Sequence, residues 1–195
     1  MSAWLVVGLG NPGDRYASSR HNIGARVVER LSQRWGRRLR KVRFLAAEAA
    51  EGKLGGETVW LLRPAAFMNV SGPPVASFAR KRKVDVDRIV ACHDEIDLSF
   101  GSLKLKQGGS TAGHNGLRSL VQALGDDGFH RVRLGVGRPP GREDPADYVL
   151  EPFAKGERDE AGLLVEKAAD AVETLIREGL GAAQDRFNRV PPRDE

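Results

Sequence analysis

His21 and Asp94 are the two side chains of this sequence best suited to act together on a substrate. A carboxylate beside an imidazole fixes its tautomer and favours its protonated form, so the ring can take a proton from water near neutral pH. Asn11, Asn69 and Asn115 each lie in or next to a glycine- or loop-rich turn. Taken singly, such an Asn reads as a turn former. Together, the three could supply neutral donors for a polar substrate and a developing oxyanion. Other chemistries find less support. The four histidines are scattered, and no HExxH, CxxC or paired-His spacing occurs, which argues against a metal site. His93, Asp94, Glu95 and Asp97 could hold a hard cation at a strand end, but carboxylates capping a turn are the simpler reading. Cys92 is the only cysteine and sits in the apolar run Ile89 to Cys92, so it reads as a buried strand thiol with no disulfide partner.

The pair needs elements that bring it together. Trp4 to Val7 is a short apolar run ending in glycines, the pattern of a buried strand that stops at a tight loop. Ile23, Val27, Val28 and Leu31 then fall at helical spacing, with Ser19 or Asn22 available as N-cap. Ile89 to Cys92 forms another short apolar strand and empties into His93 to Asp97. If these strands are neighbours, their C-terminal ends bring His21 and Asp94 together, where α/β sheets place their sites.

The remaining segments supply the rest of a sheet and its helices. Residues 42–50 and 58–62 read as strands joined by a glycine-rich hairpin over 51–57, which argues for a mixed sheet. Phe67, Met68 and Asn69 form a loop. Ser71 then caps a helix to about Arg82, with Pro73 and Pro74 in its first turn. Residues 108–113 form a flexible loop and 115–124 a helix. Leu103 and Leu105 alternate with Lys104 and Lys106, and Val132, Leu134 and Val136 with Arg131 and Arg133. An ordinary solvated face explains both patterns; the sharper claim is that the basic faces converge on a phosphate. Residues 138–145 read as a long polar loop, and Leu164 to Ile176 as an amphipathic helix ending at Gly179. No linker divides the chain, so one domain over residues 1–187 is expected, with a loose tail at 188–195.

Gly8-x-Gly10-x-x-Gly13 fits the dinucleotide fingerprint by letter. That fingerprint needs a helix opening within the glycines. Pro12 and the polar run Asp14 to Arg20 delay the helix, and Glu29 lies in the helical pattern rather than at the end of a second strand. A nicotinamide cofactor is therefore not expected. The chain carries 31 Lys and Arg against 26 Asp and Glu, a balance that suits an anionic partner. Arg34 to Arg43 holds six basic residues around Trp35, and Arg80 to Lys83 is a second block. Each reads equally as a solvated surface or a nucleic-acid contact. No run reaches membrane-spanning length and no leader is evident, so a cytoplasmic chain is expected.

Six ordered blocks resemble the bacterial-type peptidyl-tRNA hydrolases over nearly the whole chain. They are Gly8 to Gly13, Tyr16 with Arg20-His21-Asn22, Phe67-Met68-Asn69 with Ser71-Gly72, His93 to Leu98, Gly113 to Gly116, and Arg131-Val132-Arg133. The resemblance implies a single α/β domain with a twisted mixed β-sheet flanked by helices. It implies a monomer that hydrolyses the ester between a peptide and the tRNA 3′-terminal ribose, without metal or cofactor. In that family His21 looks like the general base and Asp94 its orienting carboxylate. Asn11 resembles the reader of the first peptide bond, while Asn69 and Asn115 match positions that hold the substrate and help place water or the oxyanion. Tyr16, Phe67 and Met68 match walls of the groove for the 3′-CCA end and peptide, and Lys106 and Arg133 match a clamp on the tRNA 5′-phosphate. Two positions depart from the family pattern: Ala112 stands where glycine is common, and Ser19 replaces a usual threonine.

Overall fold

The computed structural model describes residues 3–189. In chain order the elements are β1 (Trp4–Gly8), α1 (Ile23–Arg34), β2 (Arg40–Lys41), β3 (Ala47–Leu54), β4 (Glu57–Pro64), α2 (Gly72–Arg82), β5 (Ile89–Glu95), β6 (Leu103–Gln107), α3 (Asn115–Leu124), β7 (His130–Gly135), α4 (Pro145–Tyr148), α5 (Arg158–Glu178) and α6 (Leu180–Phe187). The strands form one sheet in the order β2-β3-β4-β1-β5-β7-β6. Its centre is parallel, β4-β1-β5-β7, and its edges are antiparallel. The mixed sheet expected from the hairpin is therefore present. Among the described residues no helix is long and apolar enough to cross a membrane.

Helices cover both faces. Val6, Val90, Val132 and Leu134 point into one core with α1 and α5. Leu5, Val7, Ile89 and Ala91 point into the other, with Val75 and Phe78 of α2 and Leu117 and Leu120 of α3. This is why β1 and β5 read as continuous apolar runs rather than alternating ones: both of their faces are buried. β1 and β5 pair directly, Val7 opposite Ala91 and Gly8 opposite Cys92. The two loops expected to carry His21 and Asp94 thus leave adjacent strands at the same end.

Several local expectations change. The hairpin strands run to Leu54 and from Glu57, closed by Gly55 and Gly56 alone, both at positive φ. A two-residue turn of that conformation matches the strand twist better than a long loop. β5 continues through His93, Asp94 and Glu95, because β7 keeps pairing as far as Glu95 opposite Gly135. Neither expected cap acts as one: Ser71 Oγ donates to the Met68 carbonyl, and the first N–H of α2 goes instead to Ser119 Oγ of α3 at 2.8 Å. α4 and α6 were not legible as helices. Asn188, expected to open the tail, bonds both backbone groups of Leu105 at 2.7 and 3.1 Å. Residues 190–195 of that tail lie outside the described residues.

Candidate active site

The site forms where the loop after β1, the end of β5 and the start of α3 meet. α1 approaches β5 so closely that a Cβ on Gly24 would lie 2.1 Å from the Cys92 carbonyl oxygen. Only glycine permits that approach. The close contact draws His21, three residues earlier, over Asp94, two residues beyond Cys92. Arg20 fixes the same segment from behind. It is buried, its guanidinium donates to the carbonyls of Tyr148 and Pro152 and to the Glu157 carboxylate, and it stacks on the Tyr148 ring at 3.9 Å. The His21 N–H itself donates to the Val149 carbonyl at 2.8 Å.

Asp94 is only 2% exposed and receives two imidazoles. His21 Nδ1 lies 2.9 Å from both carboxylate oxygens, and His114 Nε2 lies 2.8 Å from Oδ1. Burial alone would raise the Asp94 carboxyl, but the two rings outweigh it and hold it well below the usual carboxylate range. Burial likewise opposes a charged His21, yet the Asp94 charge and hydrogen bond prevail and raise its pKa. An acceptor-only carboxylate requires N–H at Nδ1 of His21, so Nε2 carries the lone pair. Among the described residues that nitrogen has no hydrogen-bond partner.

His114 is fixed the other way round. It is the N-cap of α3, and its Nδ1 accepts from the N–H groups of Gly116 and Leu117 at 3.1 and 3.3 Å. Its proton is therefore on Nε2, where it donates to Asp94. One donor atom each from His21, Asp94 and His114 lie within 4.8 Å of one another. A cation there would meet the N–H of His114 rather than a lone pair, so the donor set suits hydrogen bonding better than ligation. The run His93, Glu95, Asp97 does not converge with Asp94. His93 Nδ1 donates to the Asp94 carbonyl, Glu95 faces Arg133, and Asp97 binds Arg138. Burial, helped by His114, pushes His93 down to about 3. Burial also pushes the Cys92 thiol up, leaving it unreactive.

A cavity of about 620 Å³ opens above this centre, lined among others by Asn11, His21, Phe67, Met68, Asn69 and Asn115. The structure thus gathers seven of the expected site residues, Asp94 included, around one space. Asn22 grips the backbone of Asn11 from both sides, at 2.8 and 2.9 Å, instead of capping α1. The Asn11 side chain is oriented in turn, because its Oδ1 accepts the Met68 N–H at 2.8 Å. That leaves the Asn11 amide NH₂ as the group offered to a ligand. Pro145, Val149 and Leu150 line the same cavity, so the segment read as a polar loop ends in a short helix beside the site. Tyr16 does not line the cavity; its ring lies 5.4 Å from the Arg15 guanidinium.

Lys106 and Arg133 stand apart, on the β6–β7 edge, where Lys104 pairs with Arg133 and Lys106 with Arg131. Partial burial, then the charges of Arg133 and Arg131, lower the Lys106 pKa. Arg131 departs from the expected solvated face. It is 1% exposed, and it donates to the carbonyls of Ser110 and Gly109, both at 2.6 Å. It anchors the 108–113 loop beneath the cavity. In that loop Ala112 has φ +47, a left-handed conformation that costs a Cβ-bearing residue about 1 kcal/mol. Arg20, His114 and Arg131 were all inside the recognised blocks, but nothing in their spacing announced these roles.

A mixed α/β sheet that brings a histidine onto a buried aspartate at the C-terminal ends of adjacent parallel strands, beside a cavity lined by three asparagines, has the make-up of a hydrolytic site: an imidazole nitrogen without a partner and neutral amide donors. The comparisons narrow it. The sequence profile of the peptidyl-tRNA hydrolase family matches residues 5–194. Peptidyl-tRNA hydrolase of Frankia alni is 53% identical over 187 residues, covering 96% of this chain and 94% of that protein. That of Rhodococcus opacus is 52% identical over 184 residues, covering 94% and 97%. The crystal structure of peptidyl-tRNA hydrolase from Acinetobacter baumannii superposes with a TM-score of 0.90 at 34% identity, over 97% of this chain and 96% of that one. The chain belongs to the peptidyl-tRNA hydrolase family.

Proposed function

We propose that His21 is the general base in hydrolysis of the ester joining a peptide to the 3′-terminal ribose of tRNA. Its Nε2 takes a proton from water as the water oxygen attacks the ester carbonyl. Asp94 holds the ring and stabilises the imidazolium that results. The oxyanion is met by the amides of Asn69 and Asn115, and its collapse expels the ribose hydroxyl, which recovers the proton from His21. A base and an oxyanion donor contribute on the order of 10²–10⁴ and 10²–10³ in rate, which suits an activated ester. The observation that carries this reading is the lock of His21 Nδ1 on a buried carboxylate, which leaves Nε2 free toward the cavity.

Asn11 reads the first peptide bond. With its Oδ1 occupied by Met68, it offers N–H donors to a peptide carbonyl. A free α-ammonium one bond away brings no such carbonyl, so the donor is left unpaired in the wrong substrate. Phe67 and Met68 flank the 3′-CCA and peptide groove, and Lys106 with Arg133 takes the 5′-phosphate of the acceptor end. The same reading makes the enzyme a cytoplasmic monomer working without a metal.

The test is release of peptide from N-blocked aminoacyl-tRNA beside the same tRNA with a free α-amine, in EDTA. Rapid turnover of the blocked ester alone is expected. Salt-sensitive tRNA binding without turnover would instead favour a non-catalytic RNA-binding relative. Activity that disappears only in EDTA would require a metal at Asp94.

A further inference from the structure

The basic block from Arg34 to Arg43 divides in two. Arg34 is spent inside the protein, on Glu166 and on Asp170 at 2.8 Å, and Trp35 donates to Glu173 at 2.9 Å. Arg37, Arg38, Arg40, Lys41 and Arg43 are all exposed, and none has an ion pair or a side-chain hydrogen bond among the described residues. The carboxylate opposite Lys41, Glu48, is taken by Arg63. At the head of this strip a tight turn, closed by Val42 N–H to the Ala47 carbonyl at 2.9 Å, presents Phe44. Its ring is 90% exposed, the most exposed large apolar side chain described, and its φ is +61. A bulky residue rarely adopts that conformation. Arg43 lies over the ring at 4.6 Å.

We propose that this edge is a second RNA-binding surface, taking a single-stranded segment with a base stacked on Phe44 and phosphates on Arg40, Lys41 and Arg43. A cationic strip with a free aromatic face is what sequence-tolerant single-strand binding requires. An acidic peptide would use the charges but not the ring face. A membrane surface is engaged by an amphipathic helix with several exposed apolar side chains, whereas this edge strand and turn expose one, Phe44, and pack Leu39, Val42 and Leu45 against the cores. The surface is distinct from the Lys106–Arg133 corner: β2 and β6 are the two ends of the sheet, six strand spacings or roughly 29 Å apart. It does not depend on the catalytic reading.

The experiment is fluorescence anisotropy of a short labelled oligouridylate across a salt series, with the full chain. Replacing Arg40, Lys41 and Arg43 together by Gln should lower the log–log salt slope by about two. Phe44→Ala should weaken binding roughly tenfold and Phe44→Trp restore it. Turnover of saturating N-blocked aminoacyl-tRNA should be the same in all of these variants. Unchanged affinity and slope would overturn the proposal, as would loss of oligouridylate binding in Arg133→Ala alone. Variants that lose binding to polyglutamate or to phosphatidylserine vesicles while keeping RNA affinity would overturn it too. A parent chain that binds oligouridylate through Phe44 but hydrolyses nothing would uphold this surface and refute the hydrolase reading.

Discussion

Asp94 takes two imidazoles at nearly the same distance, and the regions that deliver them put the rings to opposite uses. His21 arrives on the loop after β1, and its far nitrogen faces the cavity. His114 arrives at the start of α3, and its far nitrogen is consumed by two helix N–H groups. One ring is a base held in its reactive tautomer; the other is an N-cap that also donates to the carboxylate. Residue type and carboxylate are shared. What differs is the backbone each ring meets on its other side, and that difference decides which nitrogen can accept a proton.

The largest effect should come from the cavity side. His21→Ala is expected to lower kcat by 10²–10⁴ while leaving tRNA affinity within about twofold. Equal losses in rate and affinity would count against a base. In the parent chain His21 must be neutral to act, and its pKa is raised. The rate should therefore rise with pH through a midpoint above 6.5, and a midpoint below it would break the His21–Asp94 account.

A third ring sharpens the contrast. His93 packs edge-on against His114 at 5.1 Å and is buried neutral, with its pKa down to about 3. The unfolded chain takes up a proton below 6.5 that the folded chain refuses. This stability is complete above pH 6.5 and is lost as pH falls toward 3, by about 1.4 kcal/mol per pH unit. Urea unfolding between pH 7 and 5 should show that slope flattened in His93→Gln; parallel profiles would show that His93 does not control it. The smallest effect separates the two jobs of His114. His114→Ala and His114→Asn both lose the donor to Asp94, but Asn remains a good N-cap. The Asn variant should be the more stable by about 1 kcal/mol in urea, with kcat lowered alike in both.

Much of the fold was legible because its signals are local. The apolar runs of β1 and β5, the 3.6-residue spacing of α1 and α5 and the alternation in β6 and β7 appear in the structure. The expected caps were not legible in the same way. Ser71 and Asn22 have the right type at the right place, yet a carbonyl and a loop backbone within reach compete for the same side-chain atoms. Arg131 alternates like a solvated residue but is covered by a loop more than twenty positions away, whose carbonyls it satisfies. α4 carries too few residues for periodicity to register.

By itself the sequence determined the inventory: a histidine and a carboxylate after two apolar strands, three asparagines at turns, and ordered blocks specific enough to mark the family. These are matters of residue type and short spacing, written along the chain. Only the tertiary structure decided which nitrogen of each histidine holds a proton, which end of the Asn11 amide faces a ligand, and which arginines are spent on the protein's own carbonyls. Each of those depends on a partner distant in sequence, and a buried polar group takes whatever partner the packing supplies.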